Sequence, residues 1–213
     1  ELEIEESDYS RTHLGFTVGG PIIRDGTHYF VAFEHLDEDD VVLVRPGGAF
    51  TALADDVPRP VQRTHLLASI DHRFSDASTL SGKLLWERAR TDNYYVGGVV
   101  EQSHGYSRNN DTWSLRLGHT WVIDEGHLNE LRVQGGNRET RIPLNSTEIG
   151  EWFSTGTTLQ IGANILGSNY EADTDFLQVD DTFSLLGLGD HALRFGLNYL
   201  YTSTFHRQNR FEE

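Results

Sequence analysis

Two alternating segments joined by an Asp-Gly turn, within residues 19–34, constrain the fold of this chain more than any other feature. Asp25 and Gly26 are residue types that tight hairpin turns favour, because such turns need positive φ angles. After the turn, Tyr29, Val31 and Phe33 occupy alternate positions, so they share one face of a strand and Glu34 lies on the other. The pattern predicts a β-hairpin with one apolar face.

The same arrangement occurs four times along the chain. Short polar turns lie at residues 24–26, 75–78, 124–126 and 187–190. Their centres advance by 51 residues (25 to 76), 49 residues (76 to 125) and about 64 residues (125 to 189). Apolar and polar residues alternate on both sides of each turn over about ten residues, which is typical of long strands with one apolar face. We therefore expect an all-β fold, an antiparallel up-and-down meander of about eight long strands.

Composition narrows the class of protein. Hydrophobic residues make up 37% of the 213 residues, and no apolar run approaches the roughly 18–20 residues of a transmembrane helix. Strands of a membrane β-barrel, in contrast, are apolar only at every second position. The net charge of −16 argues against nucleic acid as a partner, because phosphate contacts need basic surface. The chain has no Cys, which excludes disulfides and thiolate metal sites.

The connections between the hairpins are long and polar, at about residues 38–61, 92–109 and 140–173. Short turns at one end and long loops at the other are typical of outer-membrane barrels. The expected strand length of about 10–13 residues also suits a tilted membrane strand better than a soluble one.

Charged residues in the middle of the predicted strands lie opposite the apolar face. In a barrel this polar face would line the water-filled lumen, and the apolar face would contact lipid. The residues expected to face the lumen are Glu34, Arg73, Lys83, Glu87, Arg116, Glu130, Arg132 and Arg194.

Four segments together resemble a known family. Residues 17–34 resemble the first barrel hairpin of the Oar-like TonB-dependent receptors, with Gly19-Gly20-Pro21-Ile22 entering the turn and Phe33-Glu34 in place of a Tyr-Glu ending. Residues 67–75, 128–133 and 190–199 are similar to later strands of the same family, and the matches follow the family order.

The resemblance implies a barrel in the bacterial outer membrane, with a separate plug domain and energy from the TonB system. Its partners would be outer-membrane lipid, the TonB system through the plug, and a large nutrient ligand. Such transporters have about 22 strands, so eight strands make about a third of a barrel. We interpret residues 1–213 as an N-terminal portion of the barrel of a longer receptor. Residues 210–213 lack the terminal aromatic residue of a complete barrel, and a closed eight-stranded barrel is the alternative architecture.

We predict neither catalysis nor a cofactor. The acidic run 37–40 lacks the alternating ligands and Gly of a calcium loop, so we interpret it as solvated charge. The same interpretation applies to Asp173, Asp175, Asp180 and Asp181. No His pair has the spacing of a zinc protease, and His65 and His72, seven residues apart, should point to opposite faces of a strand. We predict no metal site.

Aromatic residues in the long connections are the candidates for ligand contact. They would serve this role in a transporter and also in the alternative to it, a soluble β-sandwich module that binds a ligand such as carbohydrate. The candidate ligand-binding residues are Tyr94, Tyr95, Tyr106, Trp152, Phe153 and Tyr170. Packing of these rings within the loops explains them equally well.

Overall fold

The computed structural model describes residues 9–154, 158–164, 169–189 and 191–209. Twelve strands lie in these ranges, with two short 3-10 helices, Gly48–Leu53 and Gln102–His104. None of the helices in these ranges is long and apolar enough to cross a membrane. The strands are β1 (Ser10–Ile23), β2 (Thr27–Asp39), β3 (Val41–Val44), β4 (Asp55–Pro58), β5 (Val61–Ser75), β6 (Ser78–Tyr94), β7 (Tyr106–Asp124), β8 (His127–Ile142), β9 (Glu151–Ser154), β10 (Thr158–Ile161), β11 (Asn169–Leu188) and β12 (His191–Asn209).

Eight of the strands form one antiparallel sheet in the order β1-β2-β5-β6-β7-β8-β11-β12. Each long strand therefore pairs with the long strands before and after it in the chain, and the predicted meander is confirmed. Tight turns join the strands at all four predicted positions. Asp25 (φ 56°) and Gly189 (φ 63°) supply the positive φ of two of the turns. Asp190 lies outside the described residues.

The sheet is open. No ladder joins β1 to β12 in the part of the chain that the structure describes, whereas a closed eight-stranded barrel requires one. A β-sandwich would require a second large sheet facing the first. The described residues contain instead two small sheets of two strands each, β3 with β4 and β9 with β10. Both alternative architectures are therefore wrong.

The cross-strand register separates the side chains of the large sheet into two faces. Phe33 lies opposite Leu66, Leu66 opposite Trp86, and Trp86 opposite Trp113. The same alternation continues through Val179 opposite Tyr199 at the far side of the sheet. These residues belong to an apolar band that we call the belt. Other belt residues are Leu14, Phe16, Val18, Val31, Leu84, Leu115, Leu117, Val133, Leu177 and Leu197.

Seven of the eight long strands exceed the predicted length of about 10–13 residues, and β11 reaches 20, while β2 has 13. The belt itself spans residues 113–121 of β7, close to the roughly 9–11 residues that cross the hydrocarbon layer at a tilt. Beyond Trp113 the same face becomes polar, and Arg88 donates to Asp111 over 2.8 Å between β6 and β7. The strands are longer than predicted because such polar pairs continue the ladders past the belt.

The long connections fold into a single unit at one end of the sheet. They are shorter than predicted, at residues 40–60, 95–105 and 143–168, because the long strands extend into the ranges assigned to loops. The first connection contains β3 and β4, and the third contains β9 and β10. We call the described residues of these three connections the loop cap.

Backbone hydrogen bonds join all three connections of the loop cap. Gly98 N–H donates to the carbonyl of Leu43 (2.8 Å), and Arg45 N–H donates to the carbonyl of Gly98 (2.6 Å). Glu101 N–H donates to the carbonyl of Gln160 (3.0 Å). The second connection is therefore tied to both of the others.

The packed core of the described residues lies in the loop cap rather than in the sheet. Val44, Val57 and Val96 form a buried cluster, against which Val42 packs. All of the buried hydrophobic side chains among the described residues belong to the three connections, and Leu159 is only 1% exposed. Both faces of the open sheet, in contrast, carry exposed side chains. The loop cap thus has the one close-packed interior that fixes its shape.

A substitution of Gly136 tests how closely β8 approaches the neighbouring strands β7 and β11. An added Cβ would lie 2.3 Å from the backbone oxygen of Trp113 and 2.9 Å from the Phe176 ring. Gly136→Ala should therefore destabilise the sheet by about 1–3 kcal/mol, measured by urea unfolding. Gly135→Ala is the control, because its Cβ would make ordinary contacts at 3.5 Å. Equal stability of the two variants would contradict this account.

A substitution of Val44 tests the packed core of the loop cap. Val44→Asp places an unpaired charge in a site with 0% exposure, which should cost the loop cap about 1–3 kcal/mol or more. We expect limited proteolysis to cut residues 40–60 and 95–105 at least tenfold faster while the sheet stays protected. Ala52→Asp, at an exposed position, is the control and should leave the rate unchanged. Cleavage confined to residues 40–60 would show that the connections are not coupled.

Candidate functional site

All eight residues predicted to face a lumen lie on one face of the sheet, opposite the belt. Lys83 is the direct cross-strand neighbour of Arg116, and Glu34 and Glu87 flank His65 in the same way. Arg73, Glu130, Arg132 and Arg194 follow with the same alternation. We call this surface the polar face.

Ion pairs occupy the turn end of the polar face. Glu130 accepts from Arg194 at 2.9 Å and from Arg132 at 3.3 Å. Two guanidinium groups on different strands thus share one carboxylate. Each pair is partly exposed, so each contributes little stability by itself.

The middle of the polar face carries two like charges. Lys83 and Arg116 are direct cross-strand neighbours, an arrangement that is destabilising in isolation. Arg116 donates to the Gln134 side-chain oxygen through Nε (3.0 Å) and a terminal nitrogen (2.6 Å). No ion pair involves Lys83 among the residues for which side chains are described. The centre of this face is therefore locally basic in a strongly acidic chain.

Three of the six predicted aromatic residues do not lie in loops. Tyr94 ends β6, Tyr106 begins β7, and Tyr170 lies in β11. Their placement in loops was wrong because the polar ends of the long strands remain paired. Trp152 and Phe153 belong to β9, so Tyr95 alone of the six lies outside a strand.

Tyr94, Tyr95 and Tyr106 form an aromatic cluster at the base of the loop cap. The rings of Tyr95 and Tyr106 are stacked, with centroids 6.5 Å apart and planes at 17°. Tyr94 lies 5.3 Å from Tyr106, and His104 lies 6.4 Å from Tyr95. Burial raises the pKa of the Tyr106 phenol, and the neighbouring Tyr94 adds to this effect. Tyr106 thus remains a neutral hydroxyl at physiological pH.

Tyr95 has a backbone conformation that bulky residues avoid. Its φ angle is +75°, and Asn93 (φ 52°) and Gly97 (φ 129°) also lie in the positive region. A non-glycine residue held in this region costs on the order of 1–3 kcal/mol and persists where the surroundings fix it. Here the stacked rings and the backbone bonds of the loop cap hold Tyr95 in place.

A cavity of about 310 Å³ brings Tyr95 and Trp152 together. His104, Glu151, Gln160, Ala163 and Asn164 also line it. Trp152 and Gln160 are direct cross-strand partners, so both side chains share the face of the small sheet that meets the cavity. Trp152 is 72% exposed.

The other two aromatic candidates lie apart from this cavity. Phe153 points to the opposite face of β9, where its ring packs 5.4 Å from Phe50. Tyr170 lines a separate cavity of about 230 Å³ with Arg141 and Arg207. Of the six, the structure therefore brings only Tyr95 and Trp152 to one cavity, with Tyr94 and Tyr106 behind Tyr95.

Sequence reasoning missed the polar lining of this cavity. His104, Gln160 and Asn164 come from two different connections, and no local motif marks them. Their positions follow from backbone pairing between those connections, such as Gln160 N–H to the carbonyl of Val99 at 3.0 Å. The Gly97-Gly98 pair is the signal that the sequence could have offered, because glycine is the residue type that readily adopts the positive φ found at both positions.

One carboxylate, that of Glu151, lines the cavity, and more carboxylates lie beside it. A neighbouring cavity of about 570 Å³ is lined by Asp55, Glu101, Glu148 and Glu151. Glu101 accepts from the backbone N–H of Ser103 at 2.8 Å and from its hydroxyl. No cluster of three or more potential metal-ligating side chains occurs among the described residues.

The acidic residues noted in the sequence pair with nearby side chains. In the run 37–40, Asp37 accepts from Gln62 at 3.3 Å, and Asp40 pairs with Arg59. Asp175 accepts from Asn137 at 2.8 Å. His65 and His72 lie on opposite faces of β5, as predicted, and His72 contacts the Thr27 hydroxyl at 2.7 Å.

Comparison with known proteins agrees with this architecture. The chain is similar in structure to the outer membrane transporter YddB from Escherichia coli, with a TM-score of 0.70 and 13% sequence identity. The match covers 94% of this chain and 26% of YddB, so the chain spans about a quarter of that transporter. No curated protein matches the sequence.

A family model for the outer membrane beta barrel domain matches residues 45–212, well over half of the chain. Membership of this family points to a non-enzymatic role in the bacterial outer membrane. The two-faced meander, the short turns and the loop cap are the features that this membership explains. The chain belongs to the outer membrane beta barrel domain family.

Proposed function

We propose that this chain forms part of the wall and the outer loops of a TonB-dependent transporter that takes up a large nutrient. The observation that carries the proposal is the open two-faced sheet, whose fold is similar to that of an outer membrane transporter. Eight strands that cover 26% of YddB are consistent with a barrel of about 22 strands.

The free edges of the sheet support a larger barrel. Edge strands expose unpaired N–H and C=O groups, and in hydrocarbon each such group costs several kcal/mol. β1 and β12 are the two edges and are 14 and 19 residues long. Neighbouring strands, outside this sequence, would pair with both edges and close the barrel.

The two faces then take the environments that their chemistry requires. The belt contacts outer-membrane lipid, because its width matches the hydrocarbon layer. The polar face lines the lumen, where Glu130 and its two arginines are hydrated. Lys83 and Arg116 would meet water, the plug or the passing ligand.

The lengths of the connections indicate on which side of the membrane the loop cap lies. Outer-membrane barrels have short periplasmic turns and long extracellular loops. The four tight turns therefore face the periplasm, and the loop cap faces the outside, where a nutrient first makes contact. A plug domain and TonB complete the transporter, as the likeness of residues 17–34 to the Oar-like receptors implies.

Cysteine accessibility tests the assignment of the two faces. The chain has no Cys, so Leu115→Cys and Arg116→Cys each introduce one thiol, on adjacent residues of opposite faces. In membranes that contain the full-length receptor, we expect a charged, membrane-impermeant maleimide to modify Arg116→Cys at least tenfold faster. Leu115→Cys should react only with a lipid-soluble maleimide. Faster modification of Leu115→Cys by the charged reagent would reverse the assignment.

Direct capture tests the coupling to TonB. The purified periplasmic domain of TonB, immobilised on resin, should retain the full-length receptor from a detergent extract, detected with an antibody to this chain. A receptor that lacks its plug domain should pass through, and an unrelated eight-stranded outer-membrane barrel serves as the second control. Absence of capture, or equal capture without the plug, would contradict TonB dependence.

A further inference from the structure

We propose that the cavity between Tyr95 and Trp152 binds a neutral pyranose saccharide. The inference rests on the proposed transport function and names the chemical class of the nutrient. Two aromatic side chains, several hydrogen-bonding side chains and carboxylates in and beside the cavity are the observations that support it.

The aromatic walls provide flat apolar surfaces. A pyranose ring presents C–H groups on its faces and hydroxyl groups around its rim, so its faces can cover an aromatic ring while the rim forms hydrogen bonds. Tyr95 and Trp152 come from different connections and line one cavity. Trp152 is 72% exposed, an uncommon position for such a large ring unless it meets a partner.

The Tyr95 and His104 side of the cavity is fixed before a ligand arrives. Tyr95 is held at a positive φ and stacked on Tyr106. His104 is anchored where Nδ1 lies 3.0 Å from the carbonyl oxygen of Gly162, and Gly162 N–H donates to the Ser103 hydroxyl at 2.8 Å. A preformed site loses less conformational entropy on binding. This lower cost helps to offset the desolvation of the ligand, because each buried hydroxyl group of a saccharide loses its bound water.

The polar lining suits hydroxyl groups. His104 and Gln160 line the cavity, and the Gln160 amide can both donate to a hydroxyl and accept from one. Glu151 adds a carboxylate acceptor. These groups distinguish the site from a purely apolar groove, in which a hydroxylated ligand would lose its hydrogen bonds to water without replacement.

Charge excludes anionic nutrients from this site. Lys and Arg are absent from the described lining of the cavity, and four carboxylates line the adjacent cavity. Anionic iron complexes and acidic polysaccharides would therefore be repelled. Among the described lining residues, Tyr95 and Trp152 are the only Phe, Tyr or Trp side chains, so the described lining is not the multi-ring cage that recognises a quaternary ammonium.

The size of the cavity indicates how much of the ligand is held. A volume of about 310 Å³ lies at the lower end of the range of about 300–1,000 Å³ for small-molecule sites. A short stretch of a saccharide chain fits this volume, and the rest of the chain would extend into solvent.

The binding test uses the full-length receptor in a detergent without sugar, because alkyl-glycoside detergents would compete. The probes are the neutral hexasaccharides of maltose, cellulose, xylan and mannan types, the anionic hexagalacturonate, and choline. Isothermal titration calorimetry up to about 10 mM ligand reaches saturation even for millimolar affinity. We expect at least one neutral hexasaccharide to bind, and hexagalacturonate and choline not to bind.

Variants assign the binding to the cavity. Trp152→Ala and Tyr95→Asn should each weaken it at least tenfold; Asn is chosen because it tolerates the positive φ of residue 95. Gln160→Leu removes only an amide at similar size and should also weaken it. Tyr170→Ala is the matched control, since Tyr170 lines a different cavity, and should leave the affinity within twofold of wild type.

Fluorescence gives a second measurement. Trp86, Trp113 and Trp121 lie on the belt face of the sheet, so the fourth Trp of the chain, Trp152, should account for the change in emission on binding. Trp152→Phe should bind by calorimetry without that change.

Three results would overturn the saccharide proposal. The first is that no neutral hexasaccharide binds, and the second is that the receptor prefers hexagalacturonate or choline. The third is that Tyr170→Ala and Trp152→Ala lose the same affinity. Maleimide labelling and TonB capture use no sugar, so their results separate failure of this inference from failure of the proposed function.

Discussion

A peptide N–H or C=O group in hydrocarbon must be hydrogen-bonded within the protein, and the continuous antiparallel ladders of the large sheet meet this requirement for each strand between its edges. The rest of the molecule depends on those ladders. Their register sets Phe33, Leu66, Trp86 and Trp113 side by side on one face. The same register sends Lys83 and Arg116 to the other face.

The sheet and the loop cap are stabilised by different forces. In the sheet, side chains on both faces stay exposed, and the lipid would supply the apolar contacts that a soluble protein makes internally. In the loop cap, Val44, Val57 and Leu159 are buried among apolar neighbours, as in a soluble protein. This small core lets three connections hold one shape and lets a strained residue such as Tyr95 persist.

The distribution of charge follows the same division. The chain has a net charge of −16, and four of its carboxylates, from Asp55, Glu101, Glu148 and Glu151, line one cavity of the loop cap. The centre of the polar face is basic. In the proposed transporter, a ligand from the outside would thus meet acidic side chains of the loop cap first and a basic wall later, which favours neutral cargo over strongly charged cargo.

The eight long strands, their order and their two faces could be predicted from the sequence, because alternation with a period of two depends only on which side of a strand each residue occupies. The positions of the four turns, the separation of His65 from His72 and the shared face of the eight charged residues all follow from it. Tertiary structure decided where the strands end, since polar cross-strand pairs such as Asn109 with Arg141 extend the ladders into segments that look like loops. It also decided the cavity, because Tyr95 and Trp152 are distant in sequence and meet only through hydrogen bonds between connections, which leave no periodic pattern in the chain.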